Sequence, residues 1–339
     1  MKILVTGGTG YIGSHTVVEL QNKGYNVIIV DNLSNSSADI IDKIALITGI
    51  KPDFEKFDLT DAERTTDFFK RHKDIAGIIH FAAYKAVGDS VTEPLMYYRN
   101  NLTSLINILQ GMKDNAIQNI VFSSSCTVYG QPDELPVSES APIKEAESPY
   151  GNTKQISEEI IRDTIKATDL RAIALRYFNP IGAHESAIIG ELPIGIPNNL
   201  VPYITQTAIG IREFLRVFGD TYPTPDGTAI RDYIHVVDLA LAHVIAVDRM
   251  INNNMKNDFE VFNLGTGNGY SVLEVIKSFE KVTGLKLNYK IVDRREGDII
   301  QVWANSDYSN KELGWKAEKG IDDMTLSAWK WEKALRENS

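Results

Sequence analysis

The stretch KILVTGGTGYIG, Lys2–Gly13, decides the fold. A strand-length apolar run meets a cluster of glycines, and a helical pattern from Ile12 to Lys23 follows at once, closed by Gly24. The glycines fall as Gly8-x-Gly10-x-x-Gly13 and as Gly7-x-x-Gly10-x-x-Gly13. Placed after a strand and at the mouth of a helix, they let backbone N–H groups and the helix N-terminus approach a pyrophosphate with no side chain in the way. The next strand, NVIIV, ends at Val30 and is followed by Asp31, 18 residues beyond Gly13. A carboxylate there accepts hydrogen bonds from an adenosine ribose and repels a 2′-phosphate, which favours NAD over NADP. The plain alternative is a tight turn with an exposed acid; loop, helix and acid in register argue against it.

Outward from this unit the same rhythm continues. A helical stretch reaches Gly49, GIIHFAA reads as a strand, Pro94 opens a helix with Leu95, Tyr98, Leu102, Leu105 and Leu109 at helical spacing, and NIVFSSS is another strand. Alternating strands and helices predict an α/β chain with a Rossmann-type, doubly wound parallel sheet. RAIALRYF, Arg171–Phe178, is expected as its last strand. The texture then changes: Asn179–Asn199 is rich in Gly, Pro and Asn, as ligand-contacting loops often are. Beyond it lie shorter elements, including a helix with a capping box at Ser271 and Glu274 and a stop at Gly284. The expected organisation is an NAD-binding domain over residues 1–180 and a smaller mixed α/β substrate domain over 181–339, interleaved with the first.

The bulk numbers exclude several classes. The chain has 339 residues, 43% hydrophobic and 24% charged, with net charge −10 and no run of Lys and Arg, so nucleic acid and anionic membranes lack their electrostatic partner. No stretch approaches the ~18 apolar residues of a membrane span, and KILV is too short for a signal-peptide core. Cys126 is the sole cysteine, so neither an internal disulfide nor a thiolate metal cluster is expected. The six histidines form no His-x-x-x-His or His-x-His pair, and no metal site is expected. A cytoplasmic enzyme or binding protein fits these limits.

SPYGNTK, Ser148–Lys154, carries the chemistry. At about 100° per residue, Tyr150 and Lys154 differ by roughly 40° and share one side of a helix. A free phenol loses its proton only near pH ~10; a nearby ammonium and the positive nicotinamide ring both favour the phenolate, which fits Tyr150 to take an alcohol proton. FSSSCTVYG ends a strand, which puts Ser125 at the carboxyl edge of the sheet, where ligands of open α/β folds bind. Its hydroxyl can hydrogen-bond the reacting oxygen.

Taken together, TGGTGYIG, DNLSNSS, KAVGDS, FSSSCTVYG, SPYGNTK, RYFNPIGAH, GIPNNLVPYI, RDYIHVVDLA, NLGTG and RREGD resemble the UDP-glucose 4-epimerase family within the extended short-chain dehydrogenases/reductases, over almost the whole chain. The resemblance implies NAD held tightly and regenerated in each cycle, and a UDP-sugar oxidised at C4 and reduced on its other face. It implies catalytic roles for Ser125, Tyr150 and Lys154. The family's cofactor contacts fall on Gly7, Gly10, Tyr11, Ile12, Gly13, Asp31, Asn32, Asn35, Ser36, Asp58, Leu59, Phe81, Ala82, Lys85, Asn100, Ser123, Tyr150, Lys154 and Tyr177. Its UDP-sugar contacts fall on Lys85, Ser125, Tyr150, Phe178, Asn179, Asn199, Leu200, Phe218, Arg231, Arg295, Asp298 and Val302. Arg231 and Arg295 suit a diphosphate, because planar guanidinium groups pair well with phosphate oxygens. The plain alternative for each is a salt bridge with the neighbouring Asp232 or Glu296. The resemblance also implies a homodimer built on the helices Pro94 to about Gln110 and Tyr150 to about Lys166.

Some positions depart from the family pattern. Val302 stands where several relatives carry tyrosine, which implies room for N-acetylated sugars. Ala83, Arg99 and Cys126 also differ, without an evident consequence. Competing readings are a nucleotide-sugar 4,6-dehydratase, disfavoured because Cys126 and Thr127 follow Ser125 where an Asp-Glu pair is needed, a UDP-glucuronate epimerase or decarboxylase, and a non-catalytic NAD sensor.

Overall fold

The computed structural model describes residues 1–294 and 299–337. The first six strands are β1 (Lys2–Thr6), β2 (Asn26–Asp31), β3 (Asp53–Lys56), β4 (Ile75–His80), β5 (Asn119–Ser125) and β6 (Arg171–Tyr177). β7 (Asn179–Ile181), β8 (Leu215–Phe218) and β9 (Ile230–His235) follow, and then β10 (Phe259–Leu264), β11 (Gly269–Ser271), β12 (Tyr289–Val292) and β13 (Gln301–Val302). Seven strands form one parallel sheet in the order β10-β6-β5-β4-β1-β2-β3.

β6 is therefore not the last strand of this sheet. The chain leaves after β6, and β10 comes back to pair along the whole of it, from Phe259 opposite Ala172 to Leu264 opposite Tyr177. FEVFNL alternates too weakly for periodicity to assign it to a sheet begun more than a hundred residues earlier. The helix Val236–Ile251 that precedes it also packs on the first half of the chain, with Leu239, Val244 and Val247 against Val17 and Val18 of the helix Tyr11–Asn22.

Period-two alternation puts successive strand residues into two cores. Ile3, Val5, Val27 and Ile29 face the helices Tyr11–Asn22, Asp39–Thr48 and Val236–Ile251. Leu4, Ile28 and Val30 face Phe68 and Phe69, Leu105 and Ile108 of the helix Pro94–Asp114, and Ile161 of the helix Pro149–Lys166. Each fully buried aliphatic side chain contributes about 1.5–3 kcal/mol. The helix opened by Pro94 runs one turn beyond the expected Gln110, to Asp114.

The second half builds on β9. Its first residues pair with β11 and β13, its last with β7, and β8 pairs with β12 apart from them. The helix Val272–Thr283 has the expected capping box, and Gly284 ends it in the left-handed conformation. Its apolar face, Val275, Ile276 and Phe279, packs with Met324 and Ala328 of the carboxyl-terminal helix Ile321–Glu337.

Candidate active site

The carboxyl ends of the strands form a continuous ledge. At the end of β1, Gly7 takes φ +69°, and a side chain on it would meet the backbone of Ala82 at 2.8 Å. A Cβ on Gly13 would sit 2.3 Å from the Gly7 carbonyl oxygen. The loop thus closes on its own backbone, with Gly10 N–H donating to Gly7 O at 3.1 Å, and only glycine fits. Asp31 ends β2 beside it, accepting from Thr9 N–H at 3.3 Å and Leu33 N–H at 2.9 Å. Ser36 shares a hydrogen bond with Thr9 at 2.7 Å, and Asn32 donates to Asp58 at 2.9 Å, so DNLSNSS folds onto the glycine loop. A bare glycine cradle next to an acid oriented by backbone donors fits a dinucleotide with a free ribose hydroxyl pair.

Phe81 and Ala82 lie against the same loop, their N–H groups directed at Thr6. Tyr11 donates to Gly182 O at 2.6 Å, reaching into the second half, while Ile12 packs on the core and Leu59 is buried with its carbonyl accepting from Asn107. Ser123 and Tyr177, at the ends of β5 and β6, share a short hydrogen bond of 2.5 Å.

The helix Pro149–Lys166 starts with Ser148 accepting from Gly151 N–H and Pro149 at the first helical position, which fixes the entry of Tyr150. Tyr150 and Lys154 are both buried, on the same side of the helix. The Lys154 ammonium donates to Ser123 O at 2.6 Å and lies 5.8 Å from the centre of the Tyr150 ring. Burial pulls it down to about 8, against the opposing pull of the Glu158 carboxylate. Ser125 is buried at the tip of β5 and hydrogen-bonded to Tyr150.

One expectation needs correction. Lys154 does not bring the Tyr150 phenol down within the protein. Burial raises it well above its ordinary value, Tyr177 adds to the rise, and the Ser125 hydrogen bond opposes it. Removal from water disfavours a phenolate, and the Lys154 ammonium is anchored on a backbone carbonyl.

Of the described residues matched to a UDP-sugar, two meet next to Ser125. Pairing of β9 with β13 sets Arg231 beside Val302, and the Arg231 charge is felt at Cys126, next to Ser125. Arg231 donates to Ile230 O at 2.9 Å, while the neighbouring Asp232 carboxylate is occupied by N–H groups of Thr266, Gly267 and Ala304. Val302 is 5% exposed and packs in a cluster with Val128, Tyr129, Val137, Phe178 and Ala304. Asn179 lies in β7, Phe218 ends β8, and Asn199 and Leu200 begin the helix Leu200–Ala208. Lys85 pairs with Glu191 at 3.5 Å. Asn35 follows β2 in the DNLSNSS stretch, and Asn100 donates to Asn101 at 3.0 Å. Arg295 and Asp298 lie outside the described residues.

Sequence reasoning missed Asn101. Buried within an apolar-patterned helix, it accepts from Tyr84 N–H at 2.8 Å and donates to Tyr84 O and to Thr153 Oγ1, tying the Lys85 loop to the turn that carries Lys154. Its poor helix propensity at a core position was the available signal. Also missed was Glu158, whose carboxylate takes both Arg176 and the Ser124 hydroxyl one turn below Lys154.

A parallel sheet with this glycine cradle, and a serine, tyrosine and lysine gathered at its carboxyl edge, defines a dinucleotide-binding protein of the extended short-chain dehydrogenase/reductase class. A family model described as GDP-mannose 4,6 dehydratase matches residues 4–327. A UDP-glucose 4-epimerase of Drosophila melanogaster is 51% identical, covering 97% of this chain and 96% of its own. The structure of a UDP-glucose 4-epimerase from Stenotrophomonas maltophila, with bound NAD and formylated UDP-arabinopyranose, superposes with a TM-score of 0.96 at 47% identity over 100% of both chains. That from Bifidobacterium longum, in complex with NAD+ and UDP, gives 0.95, again at 47% identity over both whole chains. The chain belongs to the UDP-glucose 4-epimerase family.

Proposed function

We propose that this chain is an isomerase that interconverts UDP-glucose and UDP-galactose by inverting sugar C4, with NAD kept bound through the cycle, in galactose metabolism. The observation that carries the reading is the convergence of Ser125, Tyr150 and Lys154, all buried, beside the glycine cradle and within reach of the Arg231 charge. Gly7, Gly10, Gly13, Asp31, Asn32, Asp58, Lys85, Tyr150 and Lys154 would hold the cofactor. When bound, NAD supplies a reversible hydride acceptor for C4 and a positive charge next to Tyr150.

Tyr150 Oη takes the 4-hydroxyl proton and later returns it. Ser125 Oγ, bonded to Tyr150, steadies the reacting oxygen as it passes from hydroxyl to ketone. Lys154, fixed on Ser123 O, places a positive charge beside the Tyr150 ring. Inversion requires the 4-keto sugar to present both faces in turn. Binding energy therefore belongs on the nucleotide, and Asn199, Leu200, Phe218, Arg231, Arg295 and Asp298 would grip UDP while the sugar stays loosely held. Dehydration is disfavoured because Cys126 and Thr127 follow Ser125.

The division of labour follows the two halves, residues 1–180 for NAD and 181–339 for the UDP-sugar, with β10 and the helix before it lent back to the first. A homodimer and a cytoplasmic location belong to the same proposal. Among the described residues no helix is long and apolar enough to cross a membrane.

Proton NMR of UDP-galactose with purified protein and no added cofactor tests the activity. The anomeric signal of UDP-glucose is expected, and its absence even after NAD is supplied would end the epimerase reading. The same tube with UDP-N-acetylgalactosamine tests whether Val302 leaves room for acetylated sugars. Val302→Tyr should then lose the acetylated substrate selectively; a variant that only melts earlier, with both sugars turned over in the original ratio, would make Val302 a packing residue alone.

A further inference from the structure

We infer that Glu191 is a positioning residue for the nucleotide-sugar: one carboxylate that sets Lys85 and Asn199 together. This rests on the reading of Lys85 and Asn199 as ligand contacts. Glu191 Oε1 accepts from Asn199 Nδ2 at 2.6 Å and stands 3.5 Å from Lys85 Nζ. The Glu191 side chain is 11% exposed, whereas Lys85 is 50% exposed, so its paired ammonium also has an open side for an anion. A flexible lysine half in water is a poor anchor by itself, and a shielded counter-charge confines it.

Asn199 shows the same bias. It occupies the cap position of the helix Leu200–Ala208, where an asparagine ordinarily accepts from the first turn, yet it makes no side-chain cap. Its amide is turned to Glu191 instead, which leaves its carbonyl oxygen and second amide proton for a ligand.

Glu191 itself is held from behind. Ala183 bridges Gly190, a Cβ on Gly190 would meet the Trp331 ring at 2.5 Å, and the Trp331 indole donates to Glu191 O at 3.1 Å. The glycine loop is also within its reach: burial and then the Glu191 charge push the Tyr11 phenol well above its ordinary value. The loop of Lys85, the start of the Asn199 helix and the dinucleotide loop thus meet at one fixed carboxylate, and the exposed Leu192, Ile194 and Ile196 begin just past it.

The test is UDP affinity by calorimetry, with KM and kcat for UDP-galactose, on the NAD-loaded enzyme. Glu191→Gln keeps the shape and the acceptor for Asn199 but removes the counter-charge beside Lys85. It should weaken UDP binding and raise KM by roughly tenfold with kcat within about twofold. In a Lys85→Met background the same change should add almost nothing, because the two act as a unit. Glu191→Asp, which retains the charge, should recover most of the affinity.

Unchanged affinity in Glu191→Gln, an equal loss in both backgrounds, or an equal loss in the Asp and Gln variants would each overturn the inference. If Lys85→Met and Asn199→Ala both bind UDP as the parent does, the assignment of the ligand contacts fails and takes this inference with it. Loss in those two variants with none in Glu191→Gln leaves the contacts standing and removes only Glu191.

Discussion

At the scale of the residue, burial raises the Tyr150 phenol, so its work as a base depends on positive charge close by. The Lys154 ammonium tied to Ser123 O and the positive ring of bound NAD would favour the phenolate that accepts the substrate proton, and the raised phenol would hold that proton until it is returned. Removing the hydroxyl without disturbing the fold isolates that proton transfer. Tyr150→Phe should lower kcat by about 10²–10⁴-fold, the usual range for a positioned acid–base group. UDP affinity should stay within about twofold, because the nucleotide contacts are elsewhere. Steady-state kinetics beside calorimetry separate the two, and a phenylalanine variant with near-parental kcat would remove Tyr150 from the chemistry.

At the scale of the element, the helix Pro94–Asp114 has two apolar faces. Leu105, Ile108 and Met112 are in the core, while Leu95 is 77% exposed and Ile106 is 49% exposed. Eleven residues at about 100° each bring Leu95 and Ile106 onto one stripe. Val87 and Val91 of the preceding short helix Val87–Thr92 are exposed too. Such a stripe next to the helix Pro149–Lys166 suits a second copy of the chain. Leu95→Glu with Ile106→Glu should shift the sedimentation mass from dimer to monomer; a parental chain that already sediments as a monomer would sink the dimer.

The same helices explain what was legible in the sequence. Glycine loop, Asp31, Ser125, Tyr150 and Lys154 were readable because each depends on contacts along one strand, one turn or one helix face. β10 was not, since its place depends on pairing with a distant strand. The rise at Tyr150, the clasp of Asn101 and the pairing of Glu158 with Arg176 depend on burial, which arises only when the layers close.

At the scale of the whole molecule, that closure leaves a mark on acid stability. Burial pulls His15, His80 and His235 down to about 3, and His243 to about 4. In the unfolded chain each titrates near its ordinary value of about 6.5. Between the two values the unfolded state binds more protons, so stability increases with pH across that window and is lost as pH falls through it. Raised carboxyls at Glu139, Asp232 and Asp238 act in the opposite sense, but closer to the carboxylate range. Histidines therefore govern the interval from about pH 6.5 to 5.5. Each forfeits about 1.4 kcal/mol by pH 5.5, and the four together forfeit roughly 5.6 kcal/mol, a large share of a typical fold's 5–15. The urea midpoint should drop sharply between pH 7.5 and pH 5.5. His243→Leu should reduce that drop by about one quarter, because its Nε2 is buried without a partner and a leucine has no proton to gain. Equal midpoints at the two pH values would mean that these histidines do not stay neutral in the fold.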